Sequence, residues 1–302
     1  MERVLSIQSH VVSGYVGNKA AVFPLQLLGF EVDIINSVHF SNHTGYPGGW
    51  EGDVLGGEQL TLILNGLERN GLLSKINHLL TGYIGSESFL RSVLNVLHTI
   101  KKQKGSDNIR FVCDPVLGDN GKLYVPKELI PVYREEVIPL ANVLTPNQFE
   151  TELLTGISIS TIEDGQNACK YLHDIGPKLV VITSLNLTKE NDVKMITILA
   201  SERVYNDGMK IIEDHVWCID TPVISGQFTG TGDVCCALLL AWTAKEPNNL
   251  SAALEKVAST MFQLIKVTAE DSDDTIASKE LKLIKSKKTI EAPNIIFQAR
   301  RL

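Results

Sequence analysis

What most constrains the fold of this chain is a rhythm. Short apolar, β-branched runs alternate with stretches of helical length almost from end to end. RVLSIQS (3–9) reads as a strand, followed by a glycine-bearing turn and a helix near 17–28. EVDIINSVHF (31–40) is a second strand, with a helical stretch near 56–70. NHLLTGYI (77–84) and IRFVCDP (109–115) read as buried strands around a helix at 86–104. NVLTP (142–146) leads into a helix from 147, and LVVITS (179–184) follows a helix near 161–175. Strands alternating with helices imply an α/β fold with a mostly parallel sheet covered by helices on both faces.

The stretch from 192 to 218 leaves this rhythm. MITILA, RVYN and KIIEDHVWCID read as short antiparallel strands with a turn at Asn206-Asp207-Gly208, a small antiparallel addition to the sheet. Helices at 231–245 and 249–268 follow. No linker, repeat or low-complexity segment interrupts the 302 residues, so a single domain over 1–302 is expected. HTGYPGGWEGD (43–53), with four glycines and one proline, reads as a mobile flap over the site.

Composition excludes several function classes. The net charge of −7 is spread without a basic face, which argues against a nucleic-acid partner. No apolar run has membrane-spanning length, and MERVLSIQSHVV lacks the apolar core of a signal peptide. The five cysteines (Cys113, Cys169, Cys218, Cys235 and Cys236) are odd in number and have no CxxC spacing, so neither a disulfide framework nor a zinc site is indicated. Cys235 and Cys236 read as small apolar residues inside a helix. The expected setting is reducing and cytoplasmic, and the sequons at Asn42 and Asn186 then carry no glycan.

Ligands of open α/β sheets bind beyond the carboxyl ends of the strands. The polar residues gather there: Ser9-His10, Thr81-Gly82-Tyr83, Asp114-Pro115, Thr145-Pro146-Asn147 and Thr183-Ser184. In CDPVLGD (113–119), Asp114 and Asp119 could hold a magnesium ion, or simply open and close turns. In TPNQFE (145–150), Asn147 and Glu150 have capping-box spacing, and Glu150 could also reach metal-bound water. GTGD (230–233) opens a helix, so Gly230 and Gly232 allow several amides to converge on an anion. Asp233 could accept a proton from an alcohol attacking phosphorus, or serve only as a cap; the helix dipole is expected to keep it ionised. The apolar helix behind it would hold the loop rigidly. His10, His39 and His43 lack metal-ligand spacing and read as hydrogen-bonding or packing residues. Tyr46 and Trp50 could cover an aromatic ligand or anchor the flap.

LSIQSHVVSGYVGNKAA (5–21), SVHFSNHTGY (37–46), LLTGY (79–83), CDPVLGD, TPNQFE, VITS (181–184) and GTGD occur in this order. Together they resemble the pyridoxal kinase family of the ribokinase superfamily over nearly the full chain. The resemblance implies a ribokinase-like fold and ATP-dependent phosphorylation of the 5′-hydroxymethyl group of pyridoxal, pyridoxine or pyridoxamine. Asp233 is then the base, with Gly230, Thr231 and Gly232 as the anion hole. Ser9 and Thr44 match residues that bind the pyridoxal ring, and Val16, Val38, Phe40, His43 and Tyr83 match the rest of that pocket. Asp119 and Glu150 match positions for Mg2+ or another divalent cation. Asp114, Thr145 and Thr183 match positions near a monovalent cation such as K+ and the nucleotide phosphates. Asn147, Glu150, Ser184 and Thr231 fall on the ATP side, and Ser225 and Gly226 lie towards adenine. A homodimer is implied by resemblance alone. Pro47-Gly48-Gly49 places three residues between Tyr46 and Trp50, where the family pattern has two. Two other readings stay in play: a hydroxymethylpyrimidine kinase, and a catalytically silent nucleotide- or pyridoxal-phosphate-binding module.

Overall fold

The computed structural model of the chain describes residues 1–105, 108–187, 194–206, 210–273 and 275–302. Its elements run β1 (Arg3–Val11), α1 (Asn18–Leu27), β2 (Glu31–Phe40), β3 (Gly52–Val54), α2 (Gly57–Arg69), β4 (His78–Thr81) and α3 (Glu87–Lys104). Then come β5 (Arg110–Cys113), the hairpin β6 (Gly118–Asp119) and β7 (Lys122–Leu123), α4 (Leu129–Val132), β8 (Val143–Leu144), α5 (Gln148–Thr155), α6 (Ile162–Ile175) and β9 (Leu179–Leu185). The last part holds β10 (Met195–Tyr205), β11 (Ile211–Pro222), α7 (Thr231–Lys245), α8 (Leu250–Glu270), α9 (Lys287–Glu291) and β12 (Arg300–Arg301).

Among the described residues one ten-stranded sheet has the order β12-β11-β10-β9-β8-β5-β4-β1-β2-β3. Its centre, from β9 to β2, is parallel; β3 at one edge and β10, β11 and β12 at the other are antiparallel. The central strands are buried on both faces, so alternate residues feed two cores. Leu5, Leu79, Phe111 and Val180 enter one core with α2, α3 and α6, while Val4, Leu80, Val112 and Val181 enter the other with α1, α7 and α8. Helix α7 is buried from Val234 to Thr243, as its all-round apolar sequence requires.

One expectation changes. The segments at 195–200 and 203–206 are one eleven-residue strand, and β11 is an unbroken strand of twelve, so the antiparallel addition is long and continuous with the main sheet. The turn expected at 206–208 lies partly outside the described residues, as do residues 192 and 193. The flap is tied at its base. Ser41 N–H donates to the Glu51 carbonyl at 2.8 Å, Asn42 Nδ2 donates to the Gly49 carbonyl at 2.9 Å, and Gly52–Val54 pairs with β2.

Two irregularities in strand pairing fall at the site. Between the pairs Gln8–Asn36 and His10–His39, the single residue Ser9 faces both Ser37 and Val38. Between Leu185–Thr197 and Ile182–Leu199, Thr183 and Ser184 together face Ile198. A bulge of this kind breaks the pleat and re-aims the side chains beside it.

Candidate active site

Helix α7 begins at Gly230, whose φ of 85° is the left-handed conformation that glycine adopts without strain. A Cβ there would lie 2.1 Å from the carbonyl oxygen of Tyr15, so the loop and the β1–α1 connection meet backbone to backbone. Two residues on from Tyr15, Gly17 N–H donates to Asp233 Oδ2 at 2.7 Å. Gly17 also has positive φ, 55°, and a Cβ on it would lie 2.3 Å from Ser9 Oγ. One glycine thus separates Asp233 from Ser9. Burial drives the Asp233 carboxyl up to about 6, against the Gly17 hydrogen bond that lowers it. Loss of water thus works against the helix terminus, and the group is still mostly ionised at neutral pH.

Beyond β5, Asp114 is buried, and its Oδ2 would lie 3.8 Å from a Cβ on Gly232. Burial first, then the charges of Glu150 and Asp233, raise its carboxyl well above the usual range. Glu150 is buried too, and burial lifts it to about 7. Its Oε1 accepts from Leu117 N at 2.9 Å and its Oε2 from Asn147 N at 2.8 Å, while Asn147 Oδ1 accepts from Glu150 N at 2.8 Å. The capping box is real, and it also ties Glu150 to the loop that carries Asp119. Asp119 is exposed on β6, and its charge helps raise Glu150. Asn147 Nδ2 donates to the Gly118 carbonyl at 2.8 Å, so both ends of that amide are engaged.

Thr145 Oγ1 donates to Cys236 Sγ at 3.3 Å, linking the β8 end to α7. Cys235 and Cys236 are buried, and burial pushes the Cys235 thiol up to about 12, as befits packing residues. Thr183 N–H donates to the Pro146 carbonyl at 2.9 Å, and Thr183 and Ser184 are half-buried. Thr231 is half-buried, whereas Ser225 and Gly226 are exposed in the loop between β11 and α7. On the other side, Val16, Val38 and Phe40 form a separate apolar cluster with Val11, and Tyr83 packs on it. Phe40 stacks on Trp50 with ring centroids 3.9 Å apart, His43 is buried, and Thr44 is exposed. Both flap aromatics are anchors here, since the Tyr46 hydroxyl donates to Glu280 at 3.2 Å. His10 and His39 stack on each other, 5.2 Å apart.

The structure links Ser9, Gly17 and Asp233, and joins Asp114, Glu150, Asn147 and the loop of Asp119, while Thr44, Ser225 and Gly226 lie exposed. It adds four residues that the sequence did not single out: Val11, Tyr15, Gly17 and Glu280. The first three lie within LSIQSHVVSGYVGNKAA, where clustered glycines beside a strand end were the available signal. Glu280 had none.

Residues 74–270 match the family model described as phosphomethylpyrimidine kinase. Over 304 residues the chain is 50% identical to the pyridoxal kinase of Arabidopsis thaliana, covering 99% of this chain and 94% of the relative. It is 44% identical to the pyridoxal kinase of Homo sapiens, covering 98% and 97%. The solved structure of pyridoxal kinase from Leishmania donovani in complex with ADP and pyridoxamine superposes with a TM-score of 0.91 at 36% identity, covering 100% of both chains. On these full-length likenesses, the chain belongs to the pyridoxal kinase family.

Proposed function

We propose that residues 1–302 form a single kinase domain that transfers the γ-phosphoryl group of ATP to the 5′-hydroxymethyl oxygen of pyridoxal, pyridoxine or pyridoxamine. The observation that carries this reading is the Ser9–Gly17–Asp233 junction, which sets a carboxylate between the small apolar cluster of Val11, Val16, Val38 and Phe40 and an amide-rich helix start. Asp233 takes the hydroxyl proton as the oxygen bonds to phosphorus, and the bond to the bridging oxygen breaks to release ADP. The amides of Gly230, Thr231 and Gly232 receive the transferred group. Ser9 and Thr44 orient the ring, with Val16, Val38, Phe40, His43 and Tyr83 around it. Asn147, Ser184, Ser225 and Gly226 lie on the nucleotide side.

The charges of Glu150 and Asp233 both bear on buried Asp114, which fits a site completed by cations, and oxygen donors suit hard ones. Asp119 and Glu150 would hold Mg2+; Asp114, Thr145 and Thr183 would lie beside K+. Bound cations supply charge neutralisation for the phosphates. No helix among the described residues is long and apolar enough to cross a membrane. A cytoplasmic homodimer completes the proposal.

Phosphorylation of hydroxymethylpyrimidine is the second reading, favoured by the family model. That match begins at residue 74, however, and leaves out Ser9, Val16, Val38, Phe40, His43 and Thr44. Coupled ADP release with the three vitamers and hydroxymethylpyrimidine tests both. Turnover is expected with the vitamers, and its absence with pyridoxal, magnesium and a potassium salt overturns the proposal.

A pH profile follows from the base. An acid raised to about 6 must lose its proton to work, so kcat/KM for pyridoxal is expected to fall tenfold per unit below about pH 6 and level off above it. A profile flat down to pH 5 contradicts Asp233 as base.

A further inference from the structure

Glu280 follows the short 3₁₀ turn Ala277–Lys279, far in sequence from every motif, yet it is buried beside the flap. Its Oε2 accepts from Tyr15 N at 2.8 Å. Its Oε1 accepts from the Tyr46 hydroxyl at 3.2 Å and lies 3.4 Å from His43 Nε2. Gly45 N–H donates to His43 Nδ1 at 3.1 Å, so the proton of the neutral ring sits on Nε2, facing that carboxylate. Burial lowers the His43 pKa, which agrees with a neutral ring. The approach is built into the backbone. Gly14 has φ 95°, and a Cβ there would lie 2.2 Å from Glu280 Oε1. Tyr15, held through its N–H, presses its carbonyl on Gly230, and Gly17 just beyond holds Asp233.

One carboxylate therefore joins the flap to the segment that connects the ring pocket to the phosphate loop. We infer that Glu280 is a positioning residue that latches the 43–53 flap, through Tyr46 and His43, to the Tyr15–Gly17 segment over the ring pocket. The inference rests on the reading that the vitamer ring lies among Val16, Val38, Phe40 and Tyr83. A buried carboxylate with partners on two chain segments resists their separation, because opening would strip it of its hydrogen bonds. The latch acts on vitamer binding and on exclusion of water, and it leaves the nucleotide side alone.

The test uses the full chain and compares KM for pyridoxal with KM for ATP. Glu280→Gln keeps the size of the side chain, but its amide nitrogen cannot accept hydrogen bonds. It is expected to raise KM for pyridoxal by about tenfold, to leave KM for ATP within about twofold, and to increase ADP release without vitamer. Tyr46→Phe removes only a hydroxyl and is expected to act in the same direction, so it carries the test should Glu280→Gln not fold. The double variant is expected to lose less than the product of the two single effects. Parallel rises in both KM values with a lowered Tm would make Glu280 merely structural and overturn the latch. An unchanged pyridoxal KM, while Ser9→Ala raises it, also overturns the latch and leaves the pocket standing. If Ser9→Ala is silent as well, the ring lies elsewhere and both readings fall.

Discussion

Replacing Asp233 with Asn is expected to lower turnover by roughly 10²–10⁴-fold, the usual span for loss of a general base, and to raise the melting temperature of the same protein. The two effects have one cause. Asp233 is held up at about 6 because its charge has lost water. It also adds to the repulsion felt by Asp114. An acid that binds its proton more tightly folded than unfolded destabilises the fold as pH rises from about 4, its ordinary value, through 6. Above that window the penalty is complete, and below it there is none. Taken at face value the shift is worth about 3 kcal/mol; with the residual solvent at this half-buried group, about 1–2 kcal/mol is the reasonable size. Asn removes the charge, keeps the shape, and retains an oxygen to accept from Gly17 N–H at its present 2.7 Å. A rise of a few degrees at pH 7.5, shrinking towards pH 4, is therefore expected by calorimetry. KM for ATP should stay within about twofold. Near-normal turnover sinks the base assignment. Lost turnover with a lower Tm sinks the electrostatic account of why this carboxyl is poised.

That poise was not legible in GTGD itself. The motif announces a helix start and an anion nest, both local, and the structure has the helix start. The state of its carboxylate depends on what buries it: the β1–α1 turn more than two hundred residues earlier. The same division runs through the molecule. Strands β1 and β9 were legible because apolar residues fall on both faces, and Asn147 and Glu150 because a capping box is written within four residues. Strand β10 was read as two pieces because Ser201 and Glu202 interrupt its apolar pattern. Arg203 is tolerated there because its buried guanidinium bonds Asp214 at 2.8 Å and Asp174 at 2.6 Å, partners that tertiary structure alone supplies. The irregular pairings at Ser9 and at Thr183-Ser184 depend on the neighbouring strand's register, and Glu280 on the chain's return past the flap. No window on one segment holds that information.

The two glycines of the phosphate loop should fail in different ways. Gly230→Ala is expected to lower both stability and turnover. Its left-handed backbone costs a β-carbon roughly 1–2 kcal/mol. The added atom would also lie 2.1 Å from the Tyr15 carbonyl oxygen, a backbone atom that cannot rotate away. Relief requires the helix start to part from the Tyr15–Gly17 segment, which also carries the Asp233 hydrogen bond. A fall in Tm of several degrees and a loss of kcat of at least about a hundredfold are expected. Gly232→Ala meets none of this: its φ is not left-handed, and the nearest atom to the new methyl group is Asp114 Oδ2 at an ordinary 3.8 Å. Its Tm should stay within about two degrees. Its activity should not be spared, because the methyl group stands at an exposed position beside the Asp114 carboxylate, where the nucleotide phosphates and cations are proposed to lie. Asp233 should keep its proton affinity, so the pH midpoint of the remaining activity stays near 6 while KM for ATP rises. Melting curves and ATP titrations of the two variants, run side by side, separate support of the loop from occupancy of the loop. Equal destabilisation of both would refute the distinction, and a fully active Gly232→Ala would remove the loop amides from the path of the transferred phosphate.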